Sequence, residues 1–306
     1  MRAALRYAGC ALILLLLFRF LPSRQVWQAL RSLPAGLWLI ALAVYLGGHC
    51  IGATKWWLMV NLAGAGLNLR QAARGYFAGL FGSLFLPSLI GGDLVRATLA
   101  MRLGRTKAGV LLASLIDRVI DLTALAVLAG AGALLVPGAL DQRSRGIFLM
   151  AGGAALLALA VVAAVVAAVP VRRLSYPMRR RVVRLRRAGR SMTRRPAAVL
   201  GALALALAVQ LVFITLSARL AEASGLRLPY REWLFAWPLA KVSAALPITQ
   251  GGIGVREAAL AALLLPFGAP AALSVAAGLA WEAIVVSGAV VGGLLSFAAG
   301  RLSSKG

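Results

Sequence analysis

The sequence is poor in the residues on which metal centres and disulfide-bonded folds depend. It has one histidine, His49, and two cysteines, Cys10 and Cys50, both of which lie in apolar runs. A zinc site takes four ligands, mostly from cysteine and histidine, and this chain has no such set. The cysteines are predicted to be small buried hydrophobic residues and not a disulfide framework. We therefore expect no metal ion and no other cofactor.

Acidic residues are also scarce, since eight Asp and Glu stand against 33 Lys and Arg, for a formal net charge of +25. Charged residues of both signs make up only 13% of a chain that is 61% apolar and has a mean hydropathy of +0.89. Soluble domains average roughly 45 to 50% apolar on a comparable count. The composition indicates an integral membrane protein. Its positive excess indicates loops held at the anionic cytoplasmic leaflet and not binding to nucleic acid.

Apolar runs long enough to cross a bilayer occur six times, because about 20 such residues span about 30 Å of hydrocarbon. Two further apolar stretches, 72–103 and 231–265, are each interrupted by a proline and a pair of glycines. The arms beside each interruption are too short for a full crossing, so these stretches predict broken or re-entrant helix pairs. The full spans are predicted at 5–22, 36–61, 107–136, 147–169, 197–221 and 271–299.

The two interrupted stretches repeat one another. Residues 86–96 align without a gap to residues 246–256 and share Leu, Pro, both glycines, Val and Arg. Each copy lies between two spanning helices, so the single transmembrane domain, 1–306, contains a first repeat, 36–136, and a second repeat, 197–299. The alternative is that Gly and Pro, which are common in membrane helices, align by chance.

Basic residues in the short loops indicate how the repeats lie in the membrane. With both termini in the cytoplasm, the inside receives most of these residues, including a basic amphipathic segment at 171–196 that carries 11 arginines. Three full crossings separate the two broken pairs, so they enter from opposite faces as an inverted repeat. The predicted fold is all-α: a multi-pass protein of the cytoplasmic (inner) membrane with about six spanning helices and two broken pairs.

The broken pairs carry the residues that we expect to bind a ligand. A helix that restarts after each glycine pair presents free N–H groups and a positive dipole end, which bind anions. Arg96 and Arg256 follow and are expected to grip a phosphate with two parallel hydrogen bonds. The alternative is that Arg96 pairs with Asp93, and Arg256 with Glu257. The predicted substrate-binding residues are Pro87, Gly91, Gly92, Asp93, Arg96, Pro247, Gly251, Gly252, Arg256 and Glu257.

Charged residues at membrane depth form a second predicted set. Ionisable groups are costly there and mark transport pathways or internal ion pairs. Asp117 and Asp121 are four residues apart and share a helix face, while Asp117 and Glu282 hold similar positions in the two repeats. Ion pairs between helices and proton or counter-ion coupling are the two interpretations. The predicted intramembrane charge network is Asp117, Arg118, Asp121 and Glu282.

Two polar features of the span 36–61 have simpler interpretations. Lys55 with Trp56 and Trp57 predicts a cluster at the membrane–water interface, where such side chains are enriched. His49, in the middle of the same helix, is predicted to be a packed polar group and not a ligand.

Three motifs together resemble those of one family. They are Leu-Pro-x-x-x-Gly-Gly-Asp-x-x-Arg at 86–96, Asp-Arg-x-x-Asp at 117–121 and Pro-x-x-x-Gly-Gly-x-Gly-x-Arg-Glu at 247–257. Over about 36–299 the chain resembles the lysylphosphatidylglycerol synthase transmembrane region family, also described as flippase-like membrane proteins. The resemblance implies a role in lipid translocation, in hopanoid or glycolipid pathways, or in polysaccharide assembly. Because the sequence ends at Gly306, no soluble aminoacyl-transferase domain and no aminoacylation are expected.

The leading functional hypothesis is a flippase-like translocator, not an enzyme, that moves a phosphate-bearing lipid or lipid-linked intermediate between leaflets. The rival hypotheses are a membrane-embedded transferase with Asp93 or Glu257 as general base, and an accessory subunit in glycolipid, hopanoid or polysaccharide biosynthesis. Expected partners are the phosphorylated lipid and anionic bilayer lipids at 171–196. Further copies of the chain and a biosynthetic complex are open alternatives, and nucleic acid is excluded.

Overall fold

The computed structural model describes residues 23–85, 89–136, 194–244, 249 and 251–303, with positions 179, 182–183, 186–187 and 189–190. Within these residues the chain forms nine α-helices and one short 3-10 turn, and no strand. The helices are α1 (Ser23–Arg31), α2 (Ala35–Leu62), α3 (Leu69–Gly82), α4 (Leu89–Leu103), α5 (Lys107–Leu135), α6 (Pro196–Ala223), α7 (Tyr230–Ser243), α8 (Val255–Leu264) and α9 (Ala271–Ser303).

Three of these helices, α2, α6 and α9, are long and apolar enough to cross a membrane. α2 and α6 each have 28 residues, about 42 Å at a rise of 1.5 Å per residue. Together with α5 they match four of the predicted spans. The predicted spans 5–22 and 147–169 lie outside the described residues. The all-α membrane class is therefore confirmed, whereas the number of crossings stays a prediction.

Both interrupted stretches are broken helix pairs, α3 with α4 and α7 with α8. The first pair begins at a capping box. The Asn68 side chain accepts the N–H of Gln71 at 2.8 Å, and the Gln71 side chain accepts the N–H of Asn68 at 3.0 Å. Pro87 and Pro247, which were predicted to interrupt the two stretches, lie outside the described residues.

The first glycine pair does not precede a helix, which corrects the prediction made for it. α4 already begins at Leu89, so Gly91 and Gly92 lie in its first turn and Arg96 lies almost two turns in. The reason is helix packing: a Cβ on Gly92 would lie 2.6 Å from the carbonyl oxygen of Gly79 on α3. Gly92 therefore lets the two arms of the first broken pair approach closely.

The second glycine pair does precede a helix, as predicted. Gly251, Gly252 and Gly254 have φ angles of 64°, 81° and 85°, which only glycine adopts readily. α8 begins at the next residue, Val255. The two copies of the motif thus reach similar helix pairs by different local backbones.

Packing between the two halves of the chain is reciprocal. α2 packs against α6, α3 packs against α9, and α7 packs against α5. The first arm of each broken pair thus lies on the last long helix of the other half. One core is centred on Trp56 and Met59 in the first half, and the other on Trp233, Trp237 and Trp281 in the second.

Large apolar side chains cover the outside of this bundle, as expected for a surface in contact with lipid. Leu115 and Leu134 of α5 and Leu294 of α9 are all exposed. Cys50 is exposed as well, which corrects the prediction that it is buried, and Cys10 lies outside the described residues. The reason is helical rotation, because His49 points inward and the next residue turns about 100° away from it.

Two segments outside the repeats also have helical structure. Helix α1 was not predicted from the sequence. It packs Val26 and Ala29 against Ala272 and Ala276 at the start of α9. Within the basic segment 171–196, the described positions between 179 and 190 are helical. Its placement on the cytoplasmic membrane surface stays a prediction.

Candidate functional site

A cavity of about 210 Å³ lies between the two halves of the chain, and every helix from α2 to α9 contributes to its wall. Cationic side chains dominate the charged part of this wall, and two acids accompany them. The lining cations are Lys55, Arg96, Arg118, Lys241 and Arg256, and the lining acids are Asp93 and Asp121.

Asp117 on α5 is the buried centre of the charges in the first half. Its side chain is fully shielded from solvent and accepts a hydrogen bond from Arg96 Nη2 at 3.1 Å. Lys55 Nζ of α2 lies 2.9 Å from the same carboxylate. Asp117 therefore joins α2, α4 and α5, which is the ion-pair role predicted for it from the sequence.

Two further acids complete this first-half cluster. Asp93 pairs with Arg96 at 3.0 Å and also accepts a hydrogen bond from Arg118. Asp121, on the same face of α5 as Asp117, pairs with Lys55. The first-half cluster, with three cations and three acids, consists of Lys55, Asp93, Arg96, Asp117, Arg118 and Asp121.

The second half repeats the central contact with different residues. Arg256 Nη1 of α8 donates to Glu282 Oε2 of α9 at 2.7 Å, as Arg96 of α4 donates to Asp117 of α5. Arg256 Nη2 also donates to the carbonyl oxygen of Gly251 at 3.1 Å. In each half an arginine on the second arm of the broken pair thus binds an acid on the following helix, so the sequence correspondence between Asp117 and Glu282 is a structural one.

Glu257 has another role. It is fully buried and accepts the N–H of Gly254 at 2.6 Å, so it caps α8. The suggested alternative pairing of Arg256 with Glu257 is therefore replaced by the bond to Glu282, whereas the alternative pairing of Arg96 with Asp93 is present.

Lys55 and Trp56 are buried inside the bundle and not on its outer surface, which corrects the prediction of an interfacial cluster. Lys55 is 3% exposed and Trp56 is fully buried. The Arg96 guanidinium lies 4.9 Å from the Trp56 ring centroid and 5.5 Å from that of Tyr76, so both rings stabilise it by cation–π contact. The physical reason is charge: acids on α5 attract Lys55 into the bundle.

Lys241 on α7 is a candidate ligand-binding residue that was not predicted from the sequence. Its ammonium donates to Gln210 Oε1 at 2.9 Å and lies 5.1 Å from the centroid of the Phe213 ring. Among the described residues it has no salt bridge to a carboxylate. A signal was present, because a lysine inside an apolar stretch marks a pathway or an internal pair.

Aromatic rings form the rest of the wall. His49 Nδ1 lies 3.1 Å from the hydroxyl of Tyr76, so this side of the ring is packed against a polar partner as predicted, and the residue also lines the cavity. Tyr45 stacks on Phe213, and Trp281 meets both rings edge-on. The cavity thus combines cationic groups with flat apolar surfaces.

The structure brings four of the predicted substrate-binding residues to the cavity and leaves the others near it or outside the described residues. Gly251 and Gly252 form the second break, and Gly91 lies in the first turn of α4. Pro87 and Pro247 are outside the described residues, and Glu257 is the helix cap. Those that line the cavity are Gly92, Asp93, Arg96 and Arg256.

Comparison with known proteins finds one matching family. Its sequence model, described as Lysylphosphatidylglycerol synthase TM region, matches residues 3–293, which is nearly the whole chain. No curated protein matches the sequence.

Proposed function

The chain belongs to the lysylphosphatidylglycerol synthase transmembrane region family, a membrane protein family tied to lipid metabolism, and we propose that it moves a phosphate-bearing lipid between the two leaflets. The observation that carries this proposal is the cation-lined cavity between the two halves of an apolar-surfaced bundle. The headgroup enters this cavity while the lipid tails stay in the bilayer. Movement needs no covalent chemistry, so we propose a translocator and not an enzyme.

Alternating access follows in this proposal from an inverted repeat, with both termini in the cytoplasm. Its support is the reciprocal packing, in which the first arm of each broken pair lies on the last long helix of the other half. Arg96 with Asp117 and Arg256 with Glu282 tie the second arm of each pair to its own half. In this proposal the helices around the cavity rearrange between two states, which open the cavity to one face at a time.

The phosphate contact proposed for the two arginines must use guanidinium N–H donors that are not already bonded to protein acceptors. Both terminal nitrogens of Arg256 are engaged, by Glu282 and by the Gly251 carbonyl. Arg96 keeps a buried Nε without a hydrogen-bond partner. We therefore propose that Arg96 contacts the phosphate while Arg256 holds the second broken pair in place.

The arrangement supports translocation better than the rival transferase. A general base needs a carboxylate within reach of the substrate and free to accept a proton. Asp93 is already paired with two arginines, Arg96 and Arg118, and Glu257 caps α8 and does not line the cavity. Neither acid meets that requirement.

Reconstitution of the purified chain alone into liposomes tests the proposed function. A fluorescent phospholipid in both leaflets, bleached from outside by a membrane-impermeant reductant, reports movement as loss of the protected inner fraction. We expect complete bleaching with the protein and about half without it. A folded protein that leaves the inner fraction protected would favour the accessory-subunit hypothesis instead.

The inverted repeat makes a separate prediction about access from the two faces. In a background with Cys10→Ser and Cys50→Ser, single cysteines replace Ser88 in the first motif and Ile253 in the second break, because Thr249 is buried whereas Ile253 is half-buried. We expect membrane-impermeant thiol reagents to label Ser88→Cys from the cytoplasmic face and Ile253→Cys from the opposite face. Labelling of both positions from one face only would exclude the inverted arrangement.

A further inference from the structure

Lys241 differs from the other cations of the cavity wall, because no salt bridge to a carboxylate is found for it among the described residues. The other four lining cations are Lys55, Arg96, Arg118 and Arg256, and each forms a salt bridge. Their partners number four as well: Asp93, Asp117, Asp121 and Glu282. Among the described residues Lys241 alone of the five lining cations forms no salt bridge, and its hydrogen-bond partner, Gln210, is neutral.

The acids near Lys241 do not serve as its salt-bridge partner. Asp121 attracts its ammonium, but Arg256, Arg118 and Lys55 repel it. Asp121 already pairs with Lys55, and Glu257 is turned away toward the start of α8. A charge left without a counter-ion away from water is costly, so its retention points to a ligand that supplies the counter-charge.

The other unpaired polar atoms of the cavity wall favour the same kind of ligand. Three buried nitrogens of lining residues have no hydrogen-bond partner within the described protein: Arg96 Nε, His49 Nε2 and Trp237 Nε1. The arginine and tryptophan nitrogens can only donate. Unpaired donors beside a lysine that forms no salt bridge are complementary to an oxyanion with several acceptor oxygens.

We infer that Lys241, with the donors of Arg96 and Trp237, forms a subsite for a single phosphodiester group on a lipid whose headgroup carries no cation. This inference rests on the proposed function and narrows its substrate class. Lys241, the one lining cation without a salt bridge among the described residues, can balance the single negative charge of a phosphodiester. A diphosphate carries more negative charge than this lysine balances. The two lining carboxylates, Asp93 and Asp121, are already engaged by protein cations, so neither is left for a headgroup ammonium.

The test compares lipid binding by wild type, Lys241→Met and the control Arg219→Met, whose arginine side chain is 70% exposed on α6, outside this cavity. Lipid-induced thermal stabilisation in neutral detergent is titrated with phosphatidylglycerol, lysylphosphatidylglycerol, phosphatidylcholine and a polyprenyl diphosphate. We expect wild type and Arg219→Met to prefer phosphatidylglycerol. Lys241→Met should bind it at least about tenfold more weakly, because a hydrogen bond to a charged group is worth a tenfold step or more.

The melting temperature without lipid separates a role of Lys241 in ligand binding from a structural role. Without anionic lipid, Lys241→Met should melt at the same temperature as wild type or higher, because it removes an uncompensated charge. A lower melting temperature with unchanged lipid preference would overturn the inference, as would equal stabilisation of wild type by all four lipids. Movement of labelled lipid in liposomes is measured independently. If wild type moves lipid but Lys241→Met still binds it normally, only the subsite is disproved. If binding depends on Lys241 but wild type moves no lipid, only the proposed translocation is disproved.

Discussion

Asp117→Asn is expected to lower the free energy of unfolding by about 3 to 5 kcal/mol, the typical cost of removing one partner from a buried ion pair. Asp117 has no exposed surface, and it faces both Lys55 and Arg96. An asparagine keeps the shape of the side chain but leaves these two cations with one negative charge fewer. Chemical unfolding of the purified protein in detergent measures the loss, and movement of labelled lipid should fall with it.

Two comparisons make this prediction specific to charge. Glu222→Gln breaks an exposed pair with Arg219 and should cost no more than about 1 kcal/mol. The double variant Lys55→Met with Asp117→Asn restores equal numbers of cations and acids in the first-half cluster, so it should be more stable than Asp117→Asn alone. If Asp117→Asn is as mild as Glu222→Gln, or Lys55→Met adds its own full loss, Asp117 does not hold the cluster together.

Sequence patterns predicted the helices well because hydrophobic length and helix breakers act locally. The broken stretch 231–265 is observed as α7 and α8, and the span 107–136 as α5. The match of Asp117 with Glu282 was also accessible, because each acid lies on the helix that follows its broken pair, 21 residues after Arg96 and 26 residues after Arg256. The internal repeat of the sequence thus indicated which residues correspond in the two halves, although they are far apart in the chain.

Contacts across long sequence separations were not accessible in this way. Lys55 next to two tryptophans has the composition of an interface cluster, and only the fold places it against acids 62 and 66 residues further along the chain. Lys241 had a local signal, as a lysine inside an apolar stretch, but only the fold shows that it lines the cavity beside Gln210. Local composition describes where a charge is usually found, whereas its partner is decided by packing between helices.

The glycine pairs illustrate a third limit. Both motifs contain the same pair of glycines. Gly92 lies within helix α4 and packs against Gly79, whereas Gly252 has a positive φ angle and lies just before helix α8. Glycine permits both close packing and unusual backbone angles, so its presence does not select between them. The neighbouring helix decides which property is used.

Arg256→Lys is expected to reduce lipid movement at least about tenfold and to lower the free energy of unfolding by about 1.5 to 3 kcal/mol, the value of a hydrogen bond to a charged group. Arg256 uses two nitrogens at once, one for Glu282 and one for the Gly251 carbonyl. A lysine ammonium keeps the charge but cannot span both acceptors with a planar fork. Liposome assays and chemical unfolding measure the two effects, with Arg219→Lys on the exposed pair as a control.

The corresponding change in the first half should be milder for stability, because Arg96 reaches Asp93 and Asp117 through the same nitrogen, Nη2. An ammonium at that point can keep both ion pairs, so Arg96→Lys loses mainly the contact with the Trp56 and Tyr76 rings and the free Nε. We therefore expect Arg96→Lys to unfold nearly as wild type does but to bind phosphatidylglycerol more weakly. If Arg96→Lys and Arg256→Lys destabilise the protein equally, the two arginines have the same structural role. The different hydrogen bonding of Arg96 and Arg256 would then have no part in binding lipid.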